Sequence, residues 1–197
     1  QDNSRKHTPP DVVAFATTHA QVLEAVRLCH EFNVPLVARG RGTGTTGSAI
    51  PLRGGLVLSL ERMNRIIEMD AANRVMRVEP GVINQAIQDR AAEQGFFWPP
   101  DPTSSGYCTV GGNIALNSAG PRALKYGSTR ENVLGLVAVT GKGEEIRTGT
   151  NTTKGAVGYD LTRLLIGSEG TLAIVTQATL RLTPLPESRR TLQAVYD

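Results

Sequence analysis

The glycine-rich segment at residues 39–47 constrains this chain more than any other feature, because it directly follows a predicted strand. Its glycines stand at positions 40, 42, 44 and 47. Glycine allows positive φ values, which turn successive backbone N–H groups to one side and form an anion-binding nest. Three threonine hydroxyls and two arginines in and beside the segment add donors and positive charge. The segment therefore predicts a diphosphate-binding loop.

Two other phosphate-binding motifs compete with this interpretation. Residues 42–47 match the G-x-G-x-x-G pattern of a Rossmann dinucleotide site. That pattern requires a helix directly after the loop and an acidic residue about 20 positions later. Here Pro51 and two glycines lead into another strand-like run, so we discount Glu61 as that acidic residue. A P-loop is excluded because Gly-Lys-Ser/Thr does not occur. A glycine-rich surface loop without a ligand remains the alternative.

The first 61 residues predict a small lobe with a strand, a helix and two further strands. Thr18 and Gln21 have the spacing of a helix capping box, and Pro35 stops the helix. His19 and His30 lie on this helix and are predicted as helix-surface residues, and His7 precedes it. The predicted strands are residues 12–16, 36–38 and 56–60.

Residues 62–185 predict a second lobe, with a mixed sheet flanked by helices. Two hairpins are expected, one joining 65–69 to 74–78 and one joining 133–140 to 145–148. A helix is expected over 82–94, with Gly95 at its C-terminal end. Residues 96–127 are rich in proline and glycine, so we expect an irregular binding segment rather than ordinary core.

A short helix and a final strand complete the second lobe. Asp160 is predicted to cap the helix, whose apolar side would be formed by Leu161, Leu164 and Leu165. Residues 171–182 predict the strand. The expected fold is α+β in two lobes, with residues 186–197 starting a linker to a C-terminal substrate or cap domain missing from this chain.

Composition excludes several functional classes. The 21 basic and 18 acidic residues are scattered, and aromatic residues are 5% of the 197, so neither a nucleic-acid footprint nor a base-stacking platform is indicated. The two cysteines have no CxxC spacing and favour a reduced, cytoplasmic setting, which includes peripheral attachment at the inner face of the membrane. We assign no metal ligands.

Several motifs in register resemble the FAD-linked oxidases of the vanillyl-alcohol oxidase superfamily, whose FAD-binding domain is of the PCMH type. Besides the glycine-rich loop, they are residues 99–104, 109–115, 117–120 and 167–172. Residues 124–127, 132–136 and 158–161 most resemble the branch that contains the D-type glycolate oxidase subunits and the D-lactate dehydrogenases.

This resemblance implies FAD in the cleft between the two lobes, with its diphosphate on the loop at 38–45. Thr43 stands where covalently flavinylated relatives carry histidine, so noncovalent FAD is expected. Ala119 and Ala173 replace glycines common in relatives. The implied FAD contacts are Ala38, Arg39, Gly40, Arg41, Gly42, Thr43, Gly44, Thr45, Pro100, Asp101, Thr103, Ser104, Thr109, Gly111, Gly112, Asn113, Asn117, Ser118, Gly120, Glu169, Gly170, Ile174 and Val175.

The resemblance further implies oxidation of a 2-hydroxy acid, of the glycolate or D-lactate type, to a 2-oxo acid by hydride transfer to flavin N5. The implied partners are that small substrate and either other subunits or a quinone or other electron-carrier acceptor. No catalytic residue is assigned. Arg122, Lys125 and Tyr126 are interpreted as loop-anchoring or solvated groups in preference to groups that contact the substrate.

Three alternatives remain open. The chain could belong to a flavin-carrying electron-transfer or assembly subunit without its own substrate site. It could also belong to a relative of aldonolactone oxidase or alkyl-glycerone-phosphate synthase. A binding module without flavin is the third alternative.

Overall fold

The computed structural model describes residues 4–150, 157–188 and 190–195. The predicted linker at 186–197 therefore lies partly outside the described residues. The helices are α1 His19–Glu31, α2 Asn84–Ala92, α3 Val110–Leu116, α4 Ala123–Tyr126 and α5 Leu161–Leu165, with a 3₁₀ turn at Thr129–Asn132. The strands are β1 Val12–Phe15, β2 Leu36–Arg39, β3 Leu56–Ser59, β4 Ile66–Asp70, β5 Val75–Val78, β6 Phe96–Phe97, β7 Val133–Thr140, β8 Glu145–Gly149, β9 Ala173–Arg181 and β10 Thr183–Pro184.

The first three strands form a small parallel sheet. The order is β1-β3-β2, so β3 lies between the two strands that precede it in sequence. The predicted order of strand, helix, strand is confirmed, and α1 connects β1 to β2.

Helix α1 begins with half of the predicted capping box. The Thr18 side chain accepts a hydrogen bond from the Gln21 N–H at 3.3 Å. The Gln21 side-chain oxygen, however, accepts from the N–H of Thr17 at 2.8 Å. In a complete capping box the Gln21 side chain would accept from the N–H of Thr18, but here it accepts from the N–H of Thr17 instead. Val22, Val26 and Cys29 are buried, as the helical spacing predicts.

The larger sheet has five antiparallel strands in the order β4-β5-β9-β7-β8. Both predicted hairpins are confirmed. Gly95, with φ of 77°, stands two residues beyond the C-cap of α2. Strands β6 and β10 form a separate two-stranded sheet. The overall class is the expected α+β arrangement.

Helix α1 lies between the two sheets. One hydrophobic cluster contains Val22 and Val26 of α1, Leu58 of β3, and Val139 and Ile174 of the larger sheet. Burial of these side chains is worth about 1.5–3 kcal/mol each. The small sheet is thereby fixed against the N-terminal end of β9 and the C-terminal end of β7.

The expectation that residues 96–127 lie outside the core is wrong. Trp98, Val110 and Ile114 are fully buried, and the segment contains α3 and α4. Thr109 caps α3 by accepting a hydrogen bond from the Gly112 N–H at 3.3 Å. The glycines of α3 allow close packing, since a Cβ on Gly111 would lie 2.7 Å from Cβ of Pro80.

The expected apolar side of α5 is also wrong in part. Asp160 caps the helix, accepting from the Arg163 N–H at 2.9 Å. Leu161 and Leu164 are 44% and 60% exposed, whereas Leu165 is buried. The helix turns Thr162 and Leu165, one turn apart, toward the sheet, where the Thr162 hydroxyl donates to Thr148 at 2.9 Å.

In the described part of the chain, no helix has the length and apolar character needed to cross a membrane.

Candidate cofactor site

A cleft opens where the small sheet meets the larger one. One wall is the loop that follows β2, and the other is formed by α3 and the segment leading into β9. Predicted residues that line it are Ala38, Arg39, Gly40, Arg41, Gly42, Thr43, Gly44, Thr109, Gly111, Gly112, Glu169, Gly170, Ile174 and Val175. The structure therefore brings three separate sequence motifs to one place.

The loop wall is nearly bare backbone, braced by one arginine. Gly42 has φ of 66°, in the left-handed region that favours glycine. The Arg39 guanidinium lies against it, where a side chain on Gly42 would stand, and Nη1 donates to the Ala49 carbonyl at 3.4 Å. Arg41 lies with Nε 3.2 Å from Glu61 Oε2, so its charge is shared with that carboxylate. Of the two arginines, Arg39 is thus the one built into the loop.

The loop also packs directly on α3. A Cβ on Gly40 would collide with Oγ1 of Thr109, the helix cap, and a Cβ on Gly44 would lie 3.0 Å from Cδ1 of Leu116. Glycine is needed at these two positions because a side chain would not fit, and not because the backbone has an unusual conformation there. The loop backbone and the N-terminus of α3 therefore approach each other more closely than any larger residue would allow.

The opposite wall contains a residue with unfavourable backbone geometry. Glu169 has φ of 55°, a left-handed conformation that is uncommon outside glycine. Its N–H donates to the Ala115 carbonyl at 2.9 Å, which holds it against α3. The Glu169 carboxylate accepts a hydrogen bond from the Thr46 hydroxyl at 2.7 Å. This bond joins the two walls across the cleft.

Other predicted contact residues, all within the part of the chain that the structure describes, are not among those that line this cleft. They are Thr45, Pro100, Asp101, Thr103, Ser104, Asn113, Asn117, Ser118 and Gly120. The Asn117 side-chain oxygen accepts from the Ser128 hydroxyl at 2.8 Å and the Arg130 N–H at 2.9 Å. Asn117 thus anchors the end of α3. For the whole set, contact with FAD stays a prediction.

Arg122 anchors the segment after α3. Its Nε lies 3.2 Å from Asp101 Oδ2, and its guanidinium carbon lies 5.3 Å from the centre of the Phe97 ring. The Phe97 ring in turn meets Tyr126 edge to face at 5.2 Å. These contacts agree with the loop-anchoring interpretation of Arg122.

Sequence reasoning missed several residues of the cleft. They are Ser48, Ala49, Leu60, Pro80, Ala115 and Leu165. Ala115 lies one turn after Gly111, so helical periodicity would have identified it had α3 been predicted. Pro80 lies in the turn between β5 and α2, and it reaches the cleft beside Gly111, which packs against it.

Cys108 lies beside the cap residue of α3 and is buried. Burial raises the pKa of this thiol above its ordinary value, against the lowering effect of hydrogen bonds with Ser104 and Asn113. Cys108 is therefore a neutral packing group at neutral pH. Among the described residues, no cluster of three or more candidate metal ligands occurs.

The geometry favours a two-lobed dinucleotide site over a Rossmann site. Residues 40–55, all of which the structure describes, contain no helix, and β3 follows the loop as the parallel neighbour of β2. The diphosphate of a dinucleotide needs close approach to backbone N–H groups, and the glycine-lined wall provides it. The loop that follows the small sheet and the wall formed by α3 and the segment leading into β9 leave a cleft between them. These features define a two-lobed dinucleotide-binding domain.

Comparison with known proteins identifies the family. The chain belongs to the FAD binding domain family, whose model matches residues 10–149, and the cofactor is therefore FAD. It is 46% identical over 188 residues to glycolate oxidase subunit GlcD of Bacillus subtilis, covering 95% of this chain and 40% of that protein. It is 40% identical over 188 residues to D-lactate dehydrogenase of Anaerostipes hadrus, covering 95% of this chain and 39% of that protein.

Two further comparisons extend this result. The chain is 43% identical over 197 residues to D-2-hydroxyglutarate dehydrogenase of Xanthomonas citri pv. viticola, covering 99% of this chain and 42% of that protein. A solved structure of alkyldihydroxyacetonephosphate synthase matches with a TM-score of 0.79 and 26% identity, covering 91% of this chain and 35% of that one. The chain spans about two fifths of the length of the curated relatives it matches.

Proposed function

We propose that this domain holds FAD in an oxidoreductase that converts a 2-hydroxy acid, of the glycolate or D-lactate type, to a 2-oxo acid. The observation that carries this proposal is the match of nearly the whole chain to proteins named for oxidation of glycolate, D-lactate and D-2-hydroxyglutarate. FAD, when bound, supplies the two-electron acceptor.

The residues of this chain bind and orient the cofactor. The loop beginning at Arg39 offers N–H groups to the diphosphate, and the guanidinium braced against Gly42 adds positive charge beside it. The bond between Thr46 and Glu169 holds the second wall in place. We propose that FAD is bound noncovalently, since Thr43 stands in the loop where covalently flavinylated relatives have histidine.

Groups that recognise the substrate belong, in this proposal, to protein outside this segment. A 2-hydroxy acid needs a cation for its carboxylate and a base for its hydroxyl proton. Arg122 is already paired with Asp101, so we assign it no catalytic role.

We propose further subunits, or a quinone or other electron carrier, as the electron acceptor. We propose the cytoplasm, including the inner face of the membrane, as the location, since both cysteines are free.

The cofactor site is tested by visible absorption after incubation with FAD and desalting. The flavin bands should remain with the wild-type domain and be lost with a Gly42→Glu and Gly44→Glu double variant, since carboxylates would occupy the diphosphate position. Gly106→Glu is the matched control, because an added Cβ there meets nothing within 4 Å. Acid precipitation should release the flavin into the supernatant if it is noncovalent.

The substrate class is tested with the longest polypeptide that contains this segment, loaded with FAD under anaerobic conditions. Glycolate, D-lactate or D-2-hydroxyglutarate should bleach the flavin, and the matching 2-oxo acid should accumulate in equal amount. A second candidate is a synthase that forms an alkyldihydroxyacetonephosphate, which the similarity in fold favours. Formation of that compound, without bleaching of the flavin by any hydroxy acid, would replace the first proposal with the second.

A further inference from the structure

A second concave site lies at the opposite end of the larger sheet from the FAD cleft. It opens between the 3₁₀ turn, α5, the start of β7 and the ends of β8 and β9, and it shares no lining residue with the cleft. Along β9, Val175 of the cleft and Arg181 of this site are about 20 Å apart. Its charged lining residues, which define the arginine pocket, are Arg130, Arg147, Arg163 and Arg181, with Glu131 and Asp160.

Two of the four arginines are exposed and already paired with carboxylates. Nε of Arg147 lies 2.7 Å from Glu145, whose carboxylate also lies 2.9 Å from Nε2 of His19. Nε of Arg163 lies 3.6 Å from Asp160. The two arginine side chains are 73% and 57% exposed, so water and salt screen both ion pairs. The charge that lacks compensation therefore belongs to the other two arginines.

Arg130 and Arg181 are half-buried and have no carboxylate partner. Nη2 of Arg130 donates to the Ile166 carbonyl at 2.8 Å, and its Nε is buried without a hydrogen-bond partner. Nη2 of Arg181 lies 3.4 Å from Oδ1 of Asn132. Among the described residues, neither arginine forms an ion pair. A half-buried guanidinium has lost part of its hydration, and this costs free energy unless an opposite charge compensates it.

The two carboxylates of the pocket are held in caps and do not supply this compensation. Glu131 accepts hydrogen bonds from the hydroxyl and the N–H of Ser128, both at 2.8 Å. The bond from the hydroxyl is the main cause that lowers the pKa of Glu131, and the charge of Arg163 has a smaller effect in the same direction. Asp160 accepts from the Arg163 N–H at 2.9 Å as the cap of α5. Positive charge therefore exceeds negative charge around the pocket, and such a concave surface attracts anions.

We propose that the arginine pocket binds a small oxyanion with two negative charges, either a phosphate group or a dicarboxylate, whose charge is compensated by Arg130 and Arg181. Guanidinium groups present paired N–H donors whose spacing matches the oxygens of phosphate and carboxylate. Two charges on the ligand balance the two unpaired arginines. The site is separate from the FAD cleft, and the inference is independent of the substrate of the proposed reaction.

The test uses the longest polypeptide that contains this segment, loaded with FAD so that the diphosphate loop is occupied. Equilibrium dialysis at constant ionic strength measures the Kd for radiolabelled inorganic phosphate and for radiolabelled malonate. At least one of the two should bind saturably to the wild type, and the lower Kd shows whether the pocket prefers a phosphate group or a dicarboxylate.

Arg181→Gln should raise the Kd of the tighter probe by about tenfold or more, because a charge and its hydrogen bonds to the anion are lost. A change at Arg130 is less informative, since Arg130 also holds the Ile166 carbonyl. Arg53→Gln is the matched control, because Arg53 is exposed and does not line the pocket. It should keep the wild-type Kd.

Arg181→Lys provides a second variant, because it keeps the charge and removes the paired donors. Its Kd should lie between those of the wild type and Arg181→Gln, and it decides the question if circular dichroism shows that Arg181→Gln is unfolded. The inference is overturned if neither probe binds saturably to the wild type. It is also overturned if the folded Arg181 variants keep the wild-type Kd, since the anion would then bind elsewhere.

Discussion

Gly40→Ala tests whether the diphosphate loop packs on α3 as closely as the structure has it. The new Cβ would overlap Oγ1 of Thr109 and lie 3.6 and 3.7 Å from its Cβ and Cγ2, so only the hydroxyl collides. If Thr109 rotates to make room, it gives up its cap on the Gly112 N–H, which is worth about 1 kcal/mol. Alanine also restricts the unfolded chain, which stabilises the protein by roughly 0.4–1 kcal/mol. The two effects oppose each other, so the net change in the free energy of unfolding is within about 0.5 kcal/mol.

The Thr109→Ala background separates the two effects. Without the hydroxyl there is neither a collision nor a cap, so Gly40→Ala should stabilise that background by roughly 0.4–1 kcal/mol. The coupling energy between the two positions is then about 1 kcal/mol. Thr109→Ser keeps the hydroxyl and should keep the coupling. Gly106→Ala, which meets nothing within 4 Å, should have the same small effect in all three backgrounds.

Urea unfolding followed by circular dichroism measures all of these free energies without FAD. The reasoning is refuted if Gly40→Ala changes stability equally in the wild-type and Thr109→Ala backgrounds. That result would mean that the loop moves away from α3 to accommodate the methyl group, and that the two walls of the cleft are not in close contact.

Three further predictions concern stability and reactivity. Hydrogen bonds from Asn73 lower the pKa of Asp70, so Asn73→Ala should lower the free energy of unfolding at pH 7. The difference in this free energy from wild type should shrink as the pH falls below about 4. An equal difference in urea unfolding at pH 7 and pH 3 contradicts this. Trp98→Phe should lower the free energy of unfolding by about 2 kcal/mol in the same assay, since it opens a cavity and removes the 3.3 Å hydrogen bond to the Asn132 carbonyl. A change near zero would mean that the site repacks. Burial raises the pKa of both cysteine thiols, so iodoacetamide should label neither in the native protein and both in urea, as mass spectrometry can show.

The fold of the first lobe could be predicted from sequence because its signals are local. Thr18 marks the start of α1, Pro35 marks its end, and short apolar runs mark the strands on either side. The sheet order was not predictable in the same way. β3 lies between β1 and β2, so the two strands that α1 connects are not neighbours, and no local signal in the sequence indicates this. A connection without a helix between β2 and β3 was nevertheless visible, since Pro51 and the following glycines do not allow one.

The second lobe shows where local signals fail. Glycine and proline between residues 96 and 127 predicted irregular chain, but tertiary contacts form α3 there. The prediction that His19 lies on the helix surface is wrong for a similar reason, because its Nδ1 lies 2.8 Å from Oγ1 of Thr176, which is 157 positions away in sequence. A single histidine on a predicted helix carries no sign of such a contact. Pairing it with Glu145 requires the register of β7 with β8 and of β7 with β9.

Glycines around the cleft serve two purposes that sequence alone does not separate. Gly42 has a positive φ, so any replacement strains the backbone whatever space is available. Gly40 and Gly111 lack positive φ and are needed because Thr109 and Pro80 occupy the space of a side chain. Removing the obstructing group can therefore rescue a substitution at Gly40 but not one at Gly42. A site that depends on both kinds of glycine needs loop conformation and helix packing to be correct together, and for this reason the loop motif alone was compatible with a ligand-free surface loop.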